Sequence, residues 1–193
     1  GVDLLTVDGT TTNAGGNVSV IDLSGMNGAT GDLDLDTTGL SGTTGNFAIT
    51  ITDTDPGARE TTVNDGDLRS TINLAGTGSK VVNAGAGADS LDGGAGGDTV
   101  KFHGGGIKGN INLGAGSDLL LATAATHLNS VTFGAGADRL TAAFALSAAD
   151  ASFLMGSGAD TIDLSTQVNG GKFNSALMAG GGGADIINIS AQG

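Results

Sequence analysis

Apolar and polar residues alternate along this chain in short bursts. Val18-Ser-Val20-Ile-Asp-Leu23, Asp32-Leu-Asp-Leu-Asp36 and Phe47-Ala-Ile49-Thr-Ile51-Thr52 each read as a strand, and the Gly, Asn and Thr clusters between them read as turns. Further along, the apolar positions lock in phase with a second pattern. Leu91, Val100, Leu120, Leu140, Ile162 and Ile187 each stand two residues after an aspartate. Leu91, Ile111, Val131, Phe153 and Met178 each stand three residues before a glycine. Fixed apolar positions on both flanks predict a short strand on each side of a tight turn.

The turns themselves repeat. Gly-x-Gly-x-Asp occurs as Gly85-Ala-Gly-Ala-Asp89, Gly94-Ala-Gly-Gly-Asp98, Gly114-Ala-Gly-Ser-Asp118, Gly134-Ala-Gly-Ala-Asp138, Gly156-Ser-Gly-Ala-Asp160 and Gly181-Gly-Gly-Ala-Asp185. A degenerate copy, Gly76-Thr-Gly-Ser-Lys80, carries lysine in the aspartate place. The first three glycine positions, 76, 85 and 94, are nine residues apart; later ones, at 114, 134, 156 and 181, are 20 to 25 apart. Two nine-residue units make one coil with a glycine turn on each side. The longer steps read as whole coils that keep the glycine turn on one side and carry a variable loop on the other, around Thr126-His127, Ala148–Asp150 or Asn169–Gly171. Stacked this way, with parallel strands about 4.8 Å apart, Asp98, Asp118, Asp138, Asp160 and Asp185 form one column.

Composition narrows what such a stack can be. Glycine fills 37 of 193 positions, against a usual share of roughly 7%, without a three-residue collagen period. Trp and Tyr are absent and six Phe are the only aromatics, so the core is thin and built of Val, Ile, Leu and Ala. The net charge of −13 argues against nucleic acid, whose phosphates need clustered Lys and Arg. Every acid except Glu60 is an aspartate, the short carboxylate that serves turns and hard cations. Cysteine is absent, which removes disulfides, thiolate nucleophiles and Cys-based zinc sites. No apolar run reaches the roughly 18 residues of a membrane span. A chain starting at Gly1 without a signal peptide reads as a processed product or an excerpt, and since bacterial proteins exported by an uncleaved C-terminal signal also lack an N-terminal one, the absence does not imply cytoplasm.

Five stacked carboxylates repel unless something neutralises them. A hard divalent cation between successive turns does so, with glycines letting backbone carbonyls approach as further oxygen ligands. Metal-free Asx turns are the alternative use of the same aspartates. At this point the chain resembles the repeats-in-toxin family, whose Gly-Gly-x-Gly-x-Asp nonapeptides form a calcium-loaded parallel β-roll. Residues Gly85 to Phe102, reading GAGADSLDG and GAGGDTVKF, carry the clearest match, and the resemblance spans roughly 74–193. It implies an all-β, parallel β-solenoid with calcium-binding glycine–aspartate turns. It implies as ligands the side chains of Asp89, Asp98, Asp118, Asp138, Asp160 and Asp185. Joining them are the turn carbonyls of Gly94, Gly96, Gly114, Gly116, Gly134, Gly136, Gly156, Gly158, Gly181 and Gly183. After residue 102 the two-sided alternation of the family gives way to one-sided turns, so a single row of calcium ions is expected. Asp89 faces the other side, where Lys108 of Gly104-Gly-Gly106-Ile-Lys108 can neutralise it directly. Lys80 would close the first end of the main column against Asp98 in the same way, and ordinary solvated lysines at both positions fit the sequence equally well.

Residues 1–73 lack the motif and read as irregular solenoid coils, with a separate β-sandwich as the alternative. Asp32, Asp34 and Asp36 alternate on one solvated face. The stretch Asp53 to Asp67 reads as a long acidic loop, with an extra calcium site as a less favoured use. Enzyme chemistry has little foothold. His103 and His127 stand in different coils, and no Gly-x-Ser-x-Gly, His-Glu-x-x-His or phosphate-binding Gly-x-x-x-x-Gly-Lys motif occurs. The reading is a non-enzymatic, secreted or cell-surface protein that is stiffened by calcium and associates with itself, head to tail or laterally, as in a bacterial surface layer or extracellular filament. A cell-surface polysaccharide is a further conceivable partner; nucleic acid and membrane insertion are not expected. The alternative is a calcium-triggered folding and secretion module of a larger toxin, protease, lipase or adhesin. An ice-binding face finds no regular Thr-x-Thr stacking, since Thr50-Ile-Thr52 and Thr52-Asp-Thr54 stand alone.

Overall fold

The computed structural model describes residues 3–6, 9–11, 18–22, 32–38, 40–42, 48–52, 60–66, 69–74, 76–85, 87, 90–103, 109–123, 126–142, 146–147, 152–165 and 177–189. Among them every regular element is a β-strand and every pairing between strands is parallel. The chain is a β-solenoid. One sheet runs in spatial order through Asp3–Thr6, Leu33–Asp36, Thr61–Asn64, Lys80–Ala84, Thr99–Phe102, Leu119–Ala122, Arg139–Ala142, Thr161–Leu164 and Ile186–Ile189. The second runs through Val18–Asp22, Ala48–Thr52, Arg69–Asn73, Ser90–Asp92, Asn110–Ala115, Ser130–Ala135, Ser152–Ser157 and Leu177–Ala179. Chain order alternates between the sheets, so each coil lays one strand on each, and strands from before residue 74 join the same two sheets as those after it.

The period-two alternation predicted from sequence decides which side chains enter the core. Strands Thr99–Phe102, Leu119–Ala122 and Thr161–Leu164 all alternate half-buried and buried residues. Register then stacks like on like. Leu35, Val63, Val82, Val100, Leu120, Leu140 and Ile162 form one inward row. Facing it, Ile72, Leu91, Ile111, Val131 and Phe153 form another. A one-residue slip in any strand would turn its whole apolar set to water, and burying each such side chain stabilises by roughly 1.5–3 kcal/mol. From Val100 and Leu91 onward these rows are those expected from the flanks of the glycine motif; Leu35, Val63, Val82 and Ile72 extend them into coils that lack it.

Two stretches differ from the sequence reading. Within the acidic segment taken as one long loop, Thr61–Asn64 is a strand, because Thr61 and Val63 continue the inward rows of Leu33–Asp36 and Lys80–Ala84. Residues 53–59 and 67 of that segment lie outside the described residues. Thr126–His127, placed in a variable loop, pairs in parallel with Leu146–Ser147, a short strand pair beside the main sheets.

Candidate metal centre

The described glycine turns that lead from the second sheet to the first, from residue 76 onward, lie on one side of the solenoid, where the spacing of the repeats put them. Their backbone is one that glycine alone accepts without strain. Gly94, Gly96, Gly114, Gly116, Gly134, Gly136, Gly156, Gly158, Gly181 and Gly183 all have positive φ. The coils also approach too closely for any side chain: a Cβ on Gly134 would lie 1.7 Å from the carbonyl oxygen of Gly114. Successive turns are stitched by amide bonds, such as Gly116 N–H to the Ala135 carbonyl and Gly136 N–H to the Ser157 carbonyl. The second-glycine carbonyls of Gly78, Gly96, Gly116, Gly136 and Gly158 stack one above another, each beneath the corresponding glycine of the next coil.

Beside this row of carbonyls stands the row of aspartates. Asp98 is two residues before the inward Val100, so alternation turns its side chain into the solenoid. Asp98, Asp118, Asp138 and Asp160 are all almost completely buried. Each carboxylate accepts, through Oδ1, the backbone amide of the coil before it. Lys80 donates to Asp98, Asp98 to Asp118, Asp118 to Asp138 and Asp138 to Asp160, each at 2.8 Å. Asp160 donates to Asp185 at 3.1 Å. The second oxygen, Oδ2, of Asp98, Asp118, Asp138 and Asp160 is buried and has no hydrogen-bond partner among the described residues.

That arrangement is electrostatically costly. Burial, partly offset by the Lys80 amide, raises the Asp98 carboxyl to about 7, with the neighbouring Asp118 charge adding to the rise. Burial likewise raises Asp118 and brings Asp138 to about 6, against the opposing bond from the Asp118 amide. An isolated buried carboxylate either takes a proton or takes a cation.

The first position of the row shows a cation in place. Lys80 pairs with Thr61 on one side and faces Asp98 on the other. Its side chain is buried, and its ammonium donates to the carbonyl of Gly78, the first of the stacked turn carbonyls. Its positive charge lowers the Asp98 carboxyl. The head of the carbonyl row therefore accommodates a cationic group close enough to act on the Asp98 carboxylate. In the following coils the lysine is replaced by aspartate and the carboxylate oxygen is left unpartnered. The donor set is all oxygen, which suits a hard cation such as calcium. No three acidic or histidine side chains converge on one point among the described residues, so the turn carbonyls would have to complete any coordination shell.

Asp98, Asp118, Asp138, Asp160 and Asp185 are thus brought together as the sequence reading expected, with their glycine turns. Asp89 and Lys108, expected on the other side, lie outside the described residues. Two features escaped that reading. Gly93 and Gly180 precede the motif, and a Cβ on either would lie 2.4 Å from Oδ2 of Asp98 or Asp185, so a bare backbone makes room for the carboxylate there. Asp65, read as part of an acidic loop, is buried at the opposite turn, where the hydroxyls of Thr37 and Ser70 donate to its Oδ1 at 3.1 and 2.8 Å. Its Oδ1 is thus held by side-chain hydroxyls, where each aspartate of the main row takes a backbone amide.

A scan of protein-family models, a search of curated proteins and a search of solved structures each returned no match to this chain.

Proposed function

We propose that the chain is a calcium-stiffened, self-assembling structural protein of the bacterial cell surface, a piece of a surface layer or an extracellular filament, with no catalytic role. The observation that carries this reading is the row of buried aspartates with unpartnered oxygens, headed by a lysine whose ammonium occupies the corresponding place. Asp98, Asp118, Asp138, Asp160 and Asp185, with carbonyls of the positive-φ glycines, would hold calcium ions between coils. The repeats-in-toxin resemblance of the turns points the same way. The bound ion would supply the positive charge that lets buried carboxylates stay ionised; the chain itself supplies the amide caps, the carbonyl row and the fixed spacing. Extracellular calcium modules load at about 10⁻⁴–10⁻³ M calcium, and a thin core would make folding depend on that loading.

Circular dichroism during a calcium titration tests the reading. The β signal is expected to grow with calcium and to collapse in excess chelator. Full β signal in chelator would remove calcium from the account. Light scattering over the same range tests assembly, and a folded particle that stays monomeric at millimolar calcium would favour the secretion-module reading instead.

A further inference from the structure

The outer face of the second sheet holds a groove that neither the aspartate row nor the core uses. The alternation that turns Ile72 and Leu91 inward turns Thr71 and Asn73 outward on one strand, and Ser90 and Asp92 outward on the next. Asn110, beside the inward Ile111, follows on the third. These five side chains surround a groove of about 230 Å³ whose floor is the main chain at Ile72 and Leu91. The middle strand, Ser90–Asp92, has three residues where Arg69–Asn73 and Asn110–Ala115 have five and six. It belongs to the nine-residue half-coil between Gly85 and Gly94, and its Leu91 is the most exposed member of the buried core, at 7%. The groove lies where the sheet narrows.

The polar groups around it are under-bonded. Oδ1 of Asn73 is buried and has no hydrogen-bond partner among the described residues. A carboxylate has room for about four hydrogen bonds, yet Asp92 accepts one, from Nδ2 of Asn112 at 3.3 Å. The side chains of Thr71, Ser90 and Asn110 make none among the described residues. Outward polar residues of the first sheet differ: Asn83 donates to Asn64 at 2.7 Å, and Asp36 and Asp163 each accept the hydroxyl two residues on. A buried amide oxygen without a partner is costly, and polar groups that converge on one concavity are how small-molecule sites fix a ligand.

We propose that this groove binds a neutral glycan, one sugar ring seated between the three strands. The Asn73 oxygen and the Asp92 carboxylate need donors, while the Thr71 and Ser90 hydroxyls and the Asn110 amide take partners of either kind. Sugar hydroxyls supply both. Register sets Thr71 beside Ser90 and Asn73 beside Asp92, each pair about 4.8 Å apart, with the two pairs about 7 Å apart along the strands. That rectangle has the scale of a pyranose ring with its hydroxyls. Other occupants fit less well. A divalent ion takes six to eight oxygens and would find one charged ligand here. An added peptide strand needs a free sheet edge, and these strands are paired on both sides. Asp92 and the net charge of −13 disfavour an acidic glycan. The groove is separate from the aspartate row, so the inference stands apart from the calcium reading.

Saturation-transfer NMR and calorimetry on the folded chain, in millimolar calcium, test it with maltohexaose, cellohexaose and chitohexaose, and with an oligogalacturonate as the acidic control. At least one neutral hexaose is expected to bind with a Kd below about 1 mM. Asn73→Ala should weaken that binding about threefold or more and Asp92→Ala about tenfold or more, as expected for a neutral and a charged hydrogen bond. Thr132→Ala, two strands along the outward row of Asp92 and Asn112, should leave it unchanged. If circular dichroism shows that Asn73→Ala disturbs the fold, Ser90→Ala probes the same groove and should also weaken binding. No binding of any neutral hexaose at millimolar concentration would overturn the proposal. So would tighter binding of the acidic oligomer, or equal losses from Asp92→Ala and Thr132→Ala.

Discussion

A carboxylate at about 1–2% exposure with one oxygen unpartnered is stable only if something offsets its burial. Asp138 shows both halves of the balance: its Oδ1 caps the Asp118 amide, and its Oδ2 has no partner. Asp138→Asn keeps an oxygen for the amide and removes the charge. Without calcium the variant is expected to be as stable as the parent or more so. With calcium it should lose affinity by at least about tenfold, ~1.4 kcal/mol, read by calorimetry and by melting in both conditions. A loss of stability without calcium would mean that the carboxylate is structural alone. Lys80 tests the same logic in reverse. If its ammonium stands where an ion would, Lys80→Asp should raise the bound calcium per chain by one, measured by equilibrium dialysis with elemental analysis; an unchanged count would refute the equivalence.

At the scale of the turn and its strands, stacking is limited by backbone contact rather than side-chain packing. Gly134 combines φ 119° with a neighbouring carbonyl that leaves no room for a methyl group. Gly134→Ala should therefore cost at least about 2 kcal/mol, since left-handed strain alone accounts for ~1–2 kcal/mol. Gly182 is the internal control. A Cβ there meets nothing within 4 Å and its φ is not positive, so Gly182→Ala should fall within about 0.5 kcal/mol of the parent. Urea unfolding in saturating calcium measures both, and similar values for the two would contradict the close approach of the coils.

For the whole molecule, the stacked acids make metal-free stability depend on pH in an unusual direction. Acids whose folded pKa is depressed stabilise a protein as pH rises. Here Asp98 is raised from 3.8 to about 7 and Asp138 to about 6, mainly by burial. The folded chain then binds more protons than the unfolded chain between about pH 4 and 7, so stability is fully present below pH 3.8 and is lost as pH rises through these values. The melting temperature of metal-stripped protein should fall from pH 4.5 to 7.5, and saturating calcium should abolish or reverse the slope by favouring the ionised form. A metal-free melting temperature that rises over this range would show that the row is not buried as described.

The repeat, the strand flanks and the placement of five aspartates on one side were legible in the sequence, because period-two alternation and glycine spacing are local properties that each coil states for itself. Val100 and Leu120 announce their inward positions two residues after an aspartate, whatever surrounds them. The strand Thr61–Asn64 was hidden, since its acidic neighbours look like a loop and only pairing with Leu33–Asp36 and Lys80–Ala84 gives it a role. The partners of Asp65, the room that Gly93 makes for a carboxylate, and the direction of the amide-to-carboxylate ladder were likewise invisible, because they depend on how each turn folds back on itself and on contacts 18 to 28 positions apart across neighbouring coils. Local pattern determined what each coil is. Only stacking, which brings distant backbone amides and side chains within hydrogen-bond reach, decided which oxygen of each aspartate is satisfied and which is left for a cation.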